Sequence, residues 1–174
     1  MTSLINLLRP TGRLLSLLLI SFHLHALPED RDQPVQVSAE RMEWHNQRQT
    51  GIYLGEVEAS QGELRLESES LTLFRGPDGQ LIQALAESSD GLAYMRDLPS
   101  LDEPQVEAWA HSIDYHPAEE KIILTGQAKL IQGNDSFRGH RLTYFLTSQD
   151  LTAEQAEDKD SRIEVILTPK KSGD

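Results

Sequence analysis

The side chains of this chain that could make or break bonds stand where such chemistry is hard to arrange. Glu56 and Glu58, like Glu67 and Glu69, alternate with apolar neighbours, so each pair lies on the polar side of a strand. Acid–base catalysis needs two carboxyls whose surroundings drive their pKa values apart, which a solvated face does not supply. His45 and His116 each precede a turn, where capping or a surface hydrogen bond is the ordinary role of an imidazole. The sequence holds no Gly-x-Ser-x-Gly elbow, no His-Glu-x-x-His helix, no glycine-rich phosphate loop and no cysteine. An enzyme is therefore not expected, nor a metal or cofactor. What remains is chemistry by bulk: apolar side chains at every second position, suited either to a dry core or to holding an apolar ligand. Arg75, Arg138 and Arg141 could meet phosphate groups at the rim of such a site or serve only as solubilising charge.

Period two is the mark of strands with one apolar face. The runs are Val35-x-Val37-x-Ala39, Met42-x-Trp44, Tyr53-x-Gly55-x-Val57, Leu64-x-Leu66 and Leu71-x-Leu73, then Val106-x-Ala108-x-Ala110, Ile113-x-Tyr115, Leu124-x-Gly126-x-Ala128, Leu142-x-Tyr144 and finally Ile163-x-Val165-x-Leu167. Turn residues bound them, as at His45-Asn46-Gln47, Gln61-Gly62 and Gly76-Pro77-Asp78-Gly79. Leu81 to Met95 is expected to add short strands about Asp90-Gly91, and Ala153 to Asp160 to form a charged loop or a short helix. Two antiparallel sheets packed face to face would hide the apolar faces, giving an all-β sandwich or jelly roll.

The runs also repeat. Residues 35–74 lie on residues 106–145 without a gap, with identities at Val35/Val106, Ala39/Ala110, His45/His116, Gly55/Gly126, Gly62/Gly133, Leu71/Leu142 and Phe74/Phe145, among others. Met42/Ile113 and Trp44/Tyr115 keep their apolar character, as do Leu66 and Phe137, whereas Ser38/Trp109 and Leu64/Asp135 do not. A recurring unit of this length is the signature of stacked supersecondary elements whose ends differ from their middle.

Composition narrows the partners. The 174 residues carry 16 Lys and Arg against 28 Asp and Glu, a formal charge of −12, which excludes nucleic acid as a natural ligand and long-range capture of anionic head groups. Arg9 and Arg13 followed by the apolar run Leu14–Phe22 and then Leu24-His25-Ala26 have the three parts of a secretory signal peptide. The run is shorter than the roughly 20 residues of a membrane-spanning helix. Residues 1–26 are thus expected to be a signal peptide, 27–34 a flexible lead-in, 35–169 one domain containing the repeat, and 170–174 a flexible tail.

Order and spacing together resemble the OstA-like family. The residues that carry the resemblance are Val35-x-Val37 with Ala39, Met42-x-Trp44, Gly55-x-Val57 and Gln61-Gly62, then Ala110, Ile113-x-Tyr115, Leu124-Thr125-Gly126-x-Ala128 and Gly139-x-x-Leu142-Thr143-Tyr144. The resemblance covers about Gln33 to Pro169. It implies a twisted pair of antiparallel sheets folded like a taco shell, a β-jellyroll with an apolar groove between the sheets. It implies a non-catalytic periplasmic role in which the groove shields the acyl chains of lipopolysaccharide (lipid A).

On that reading the groove is lined by Val35, Val37, Ala39, Met42, Trp44, Tyr53, Val57, Leu64, Leu66, Leu71, Leu73, Ile113, Tyr115, Leu124, Phe137, Leu142 and Tyr144. The resemblance further implies head-to-tail stacking of copies. It also implies docking to an inner-membrane-anchored OstA-like partner (LptC-like) and an outer-membrane translocon (LptD-like). The docking edges would be the strand with Val35 and Val37 and the strand with Ile163, Val165 and Leu167, with Pro34 and Pro169 marking where pairing stops. From the residues alone a carbohydrate-binding or interaction module of the cell envelope stays open. Such a module needs an exposed aromatic platform, and Trp109, on the outward parity of its strand, is the residue that fits it.

Overall fold

A computed structural model describes residues 33–99, 103–157 and 162–169. The expected signal peptide, all but the end of the lead-in, and the tail lie outside them. The strands are β1 (Gln36–Ser38), β2 (Arg41–His45), β3 (Thr50–Gln61), β4 (Leu64–Arg75), β5 (Leu81–Glu87), β6 (Ala93–Asp97), β7 (Val106–Ala110), β8 (Ser112–His116), β9 (Lys121–Gln132), β10 (Asp135–Phe145), β11 (Leu151–Glu154) and β12 (Glu164–Ile166). A single 3-10 turn, Pro117–Glu119, is the only helical element among the described residues. The fold is all-β and antiparallel, as the alternation and the resemblance lead one to expect.

All twelve strands belong to one hydrogen-bonded sheet, which folds over on itself into two leaves. The four long strands run through both. In β3, the half around Tyr53 pairs with β2 (Met42 opposite Tyr53), and the half beyond the bend pairs with β1 (Val37 opposite Ala59). The bend is a bulge: the β3–β4 register shifts between Leu54 and Val57, where Gly55 (φ 80°) and Glu56 (φ 41°) are left-handed. Gly126 (φ 81°) and Gln127 (φ 50°) repeat it in β9. A bulge with a left-handed glycine bends a strand and raises its twist without breaking the ladder. The carbonyls at the crease are used: Glu40 N–H donates to Gly55 O (3.1 Å) and His111 N–H to Gly126 O (2.9 Å). One leaf therefore holds β2, β5, β8 and β11 with the adjoining halves of the long strands, and the other holds β1, β6, β7 and β12.

The repeat extends further than the sequence identities do. β1 and β2 pair with β3, β3 with β4, and β4 with β5 and β6; β7 and β8 pair with β9, β9 with β10, and β10 with β11 and β12. The described residues thus form two six-stranded units. They join through a seam with one strand pair in each leaf, β5 with β8 and β6 with β7. The short strand β11 corrects the expectation of a loop or helix only at Ala153 and Glu154, with residues 155–157 outside any strand or helix: Leu151 and Ala153 pack against the core and pair with Tyr144 and Leu142. Only four residues alternate before acidic loop composition takes over, too few to register as a strand in the sequence.

Candidate functional site

The inner side chains of the two leaves form one apolar cluster, densest around the seam and the second unit. Val57, Leu64, Leu66, Leu71, Ile113, Tyr115, Leu124, Leu142 and Tyr144 are buried there against one another, and Phe137 packs on them half-buried. At the N-terminal end the same inner surface lies open. A cavity of about 930 Å³ is lined by Val35, Val37 and Ala39 of β1 and its flanks, Met42 and Trp44 of β2, Tyr53 of β3, and Leu73 and Leu81 at the facing ends of β4 and β5. Of the residues nominated from sequence, then, seven line the open cavity, and the other ten continue inward from it as packed interior. Cavities of this size accommodate drug-sized or larger apolar ligands.

The cavity exists because, among the described residues, β1 and β2 pair with β3 on one edge and with no strand on the other. Met42 is 54% exposed and Trp44 40%, whereas their repeat partners Ile113 and Tyr115 are 0% and 2% exposed. The second pair is covered because β5 lies against β8. Among the described residues no strand pairs with β2 on its outer edge, so the same residue types form a wall of the cavity rather than a core.

The rim is polar. Gln33, Gln61 and Gln80 line it, and Arg75 brings a positive charge to it. The Arg75 guanidinium lies 6.0 Å from the Trp44 ring centroid and its Nε–H donates to Gly79 O at 2.8 Å, so the cation is held over the indole. Arg138 and Arg141 lie elsewhere, beside Glu164 (3.5 Å) and Glu154 (3.6 Å) on exposed edges. His116 sits 3.2 Å from Asp114. Leu81, Gln80, Pro117 and Ala118 also line the cavity and were not nominated from sequence. Leu81 lies at the start of an unremarkable strand, and Pro117–Ala118 belongs to a turn of the second unit that only the folded chain brings to the mouth.

Deeper in, the Tyr144 hydroxyl is buried with no hydrogen-bond partner among the described residues. Burial, with Glu103 and Asp97 adding to it, pushes its pKa up to about 12, so it stays neutral and the interior carries no charge there. On the outer face, Trp109 is not an open platform. Lys129 Nζ lies 4.5 Å from its ring centroid, and the Tyr94 ring lies against it, tilted by 37° with the centroids 5.3 Å apart. The Tyr94 hydroxyl donates to Glu107 at 2.7 Å, and burial together with that carboxylate raises its pKa to about 12. A sugar ring would have to displace these groups to stack.

The sequence has clear relatives. A family model described as LptA/(LptD N-terminal domain) LPS transport protein matches residues 36–150. The lipopolysaccharide export system protein LptH of Pseudomonas aeruginosa is 29% identical over 151 residues, covering 84% of this chain and 85% of its own. The lipopolysaccharide export system protein LptA of Escherichia coli K12 is 26% identical over 154 residues, covering 88% and 81%. The crystal structure of Pseudomonas aeruginosa LptH, described as the LptA-homologous periplasmic component of the lipopolysaccharide transport device, superposes with a TM-score of 0.73 at 26% identity, covering 82% of this chain and all of that one. The folded-over sheet, its open apolar end and the match across both repeat units agree: the chain belongs to the LptA/(LptD N-terminal domain) family of LPS transport proteins.

Proposed function

We propose that this protein carries lipopolysaccharide through the periplasm, taking the acyl chains into the space between its leaves at the N-terminal mouth and leaving the saccharide in water. The carrying observation is that mouth: an open apolar cavity continuous with an apolar interior, in a chain whose relatives bear the name of lipopolysaccharide export proteins. The residues resembling a secretory leader support export. The two open edges support a place in a bridge, with further copies and related domains of an inner-membrane-anchored partner and an outer-membrane translocon joined end to end.

The physics suits a conduit. Each methylene removed from water contributes roughly 0.8 kcal/mol, so a molecule with several acyl chains needs continuous cover to cross an aqueous gap. Beyond the mouth the interior is closed by its own side chains, so acyl chains advance only as the leaves part. Contacts with lipid then replace contacts among Leu71, Ile113, Leu124 and Leu142. Such an exchange of like for like keeps binding moderate at each position, and a carrier has to release what it accepts. Arg75 at the rim is placed to meet a lipid phosphate once the acyl chains are seated. The side chains perform recognition and shielding, with no catalytic step.

The test is photo-crosslinking in cells from Val37, Trp44 and Tyr115, with the exposed Glu56 and Glu67 as controls, probing adducts for lipopolysaccharide. Adducts at the inner positions alone are expected. Adducts at Trp44 but not Tyr115 would confine lipid to the mouth, and none at any inner position of the exported, folded protein would overturn the reading.

A further inference from the structure

The two units share an interior but differ along its open side. Opposite the crease, the free ends of the long strands form two lips, one on each leaf, and only between them does an occupant of the interior reach water. Resting on the carriage reading above, we propose that the lips of the second unit are a gate, latched by Gln132 on one leaf and Gln149 on the other, which parts to let the saccharide pass.

Gln132 ends β9 opposite Val106, in the leaf of β7. Gln149 lies in the turn from β10 to β11, in the other leaf. The Gln132 side-chain amide nonetheless donates to Gln149 Oε1 at 2.9 Å, so the lips touch. In the first unit the equivalent residues stand apart. Gln61 is the repeat counterpart of Gln132, and its amide donates to Gln33 O, beside β1 in its own leaf, at 3.1 Å. The counterpart of Gln149 is Gly79. Each is left-handed (φ 59° and 85°) and stands just before the residue whose carbonyl closes the turn, Asp150 or Gln80. Each donates its N–H to the carbonyl of the residue that opens the turn, Phe145 at 2.8 Å or Gly76 at 2.9 Å. Gly79 has no side chain to reach across, and with Gln61 it lines the open cavity.

Burial follows the latch. Val106 and Leu146, on the two lips of the second unit, are each 2% exposed. Their counterparts are Val35, 37% exposed, and Arg75, exposed at the rim of the mouth. Glutamine is also a strained choice for a left-handed position, so the turn by itself would favour the glycine that the first unit has there. The Tyr144 hydroxyl, one residue before that turn, is buried with no partner among the described residues. Closed lips leave it unsatisfied, and parted lips let it donate to a carbonyl joining an acyl chain to the saccharide. Closure is thus opposed from within and held by a bond between two neutral amides at the surface, which is weak enough to break. A lipid with its acyl chains between the leaves and its saccharide in water straddles the lips along its whole path. It passes the second unit only when Gln132 and Gln149 separate.

The chain has no cysteine, so introduced thiols are the only ones present. In the exported, purified chain with Gln132→Cys and Gln149→Cys, a short reducible bis-thiol reagent ties the lips covalently. A photo-reactive residue at Trp44 or at Tyr144 then reports where added lipopolysaccharide lies. The tied chain should keep its adducts at Trp44 and lose those at Tyr144 at least about tenfold, with recovery on reduction. Thr147→Cys with Gln149→Cys, joined by the same reagent on one lip, should lose neither. Gln149→Gly gives the second unit the turn of the first and suits the left-handed backbone, so the fold should hold in thermal unfolding. It should raise adducts at Tyr144 roughly two- to tenfold, the factor that one exposed hydrogen bond contributes to an opening equilibrium. Tyr144 adducts that survive tying, or that do not rise with Gln149→Gly, overturn the gate and leave carriage standing. Adducts at Trp44 with none at Tyr144 in any chain also overturn it, because the lipid then stops at the mouth. No adduct at either position in the untied chain overturns carriage itself, and the gate with it.

Discussion

Strands β1 and β2 and strands β7 and β8 are the same piece of sequence met twice, and they end in opposite environments. Val106, Ala108, Ala110, Ile113 and Tyr115 are buried to 2% exposure or less, while Val35, Met42 and Trp44 are open. The residue types barely differ. What differs is whether another unit stands on the outer side, because β6 and β5 cover β7 and β8 and, among the described residues, no strand covers β1 and β2. In a stacked architecture, burial is a property of the neighbour as much as of the residue. An end therefore exposes what the middle uses as core.

This contrast is best broken by matched substitutions. Ile113→Asp places a carboxylate where there is neither water nor a partner, and should cost about 3–5 kcal/mol or prevent folding. Met42→Asp, at the repeat-equivalent position, should change stability by no more than about 0.5–1 kcal/mol while abolishing lipopolysaccharide binding. Denaturant unfolding and a binding assay on both variants check this, and equal destabilisation would mean that the mouth is closed in solution. The creases give a smaller difference. Gly126→Ala forces a left-handed backbone on alanine and brings its Cβ to 2.9 Å from the His111 ring. A loss of about 1–2 kcal/mol is expected. Gly55→Ala meets only the exposed Glu40 side chain and should lose less, because that side chain can swing away.

The smallest effect is electrostatic and belongs to the turn between β5 and β6. Glu69 accepts hydrogen bonds from Ser89 N–H (3.0 Å), Ser89 O–H (2.8 Å) and Asp90 N–H (2.9 Å), and these hold its pKa below the usual carboxylate value. A carboxylate with a depressed folded pKa contributes stability above its unfolded pKa and loses it as pH falls through the folded one. Glu69→Gln should therefore lower the melting temperature slightly at neutral pH and lose that difference in acid. A difference that persists at low pH would show that the loop is held by something other than charge.

Much of this was legible in the sequence because two periodicities, one of two residues and one of a whole unit, act on the same positions. The inward parity of Met42, Trp44, Ile113 and Tyr115 could be read directly. Their different exposure could not, since alternation reports which side a residue faces and is silent on what lies across the edge. The repeat was visible through β1–β4 and lost after Phe74, because β5 and β11 share position and pairing without sharing residues, and the chain reaches Leu151 from Tyr144 in four residues fewer than it reaches Ala84 from Leu73. The contribution of Pro117 and Ala118 to the mouth of the other unit was invisible for a plainer reason, as it depends on tertiary proximity across the seam.

The seam of β5 with β8 and β6 with β7 also bears on how many units a chain can have. The first unit offers in β5 and β6 the edge that β8 and β7 of the second unit take up, so the interior is assembled one unit at a time. A gene carrying one more tandem copy would encode a longer protein with the same interior. Length in this fold is then a matter of counting, open to change by duplication or deletion of whole units without redesign of the core.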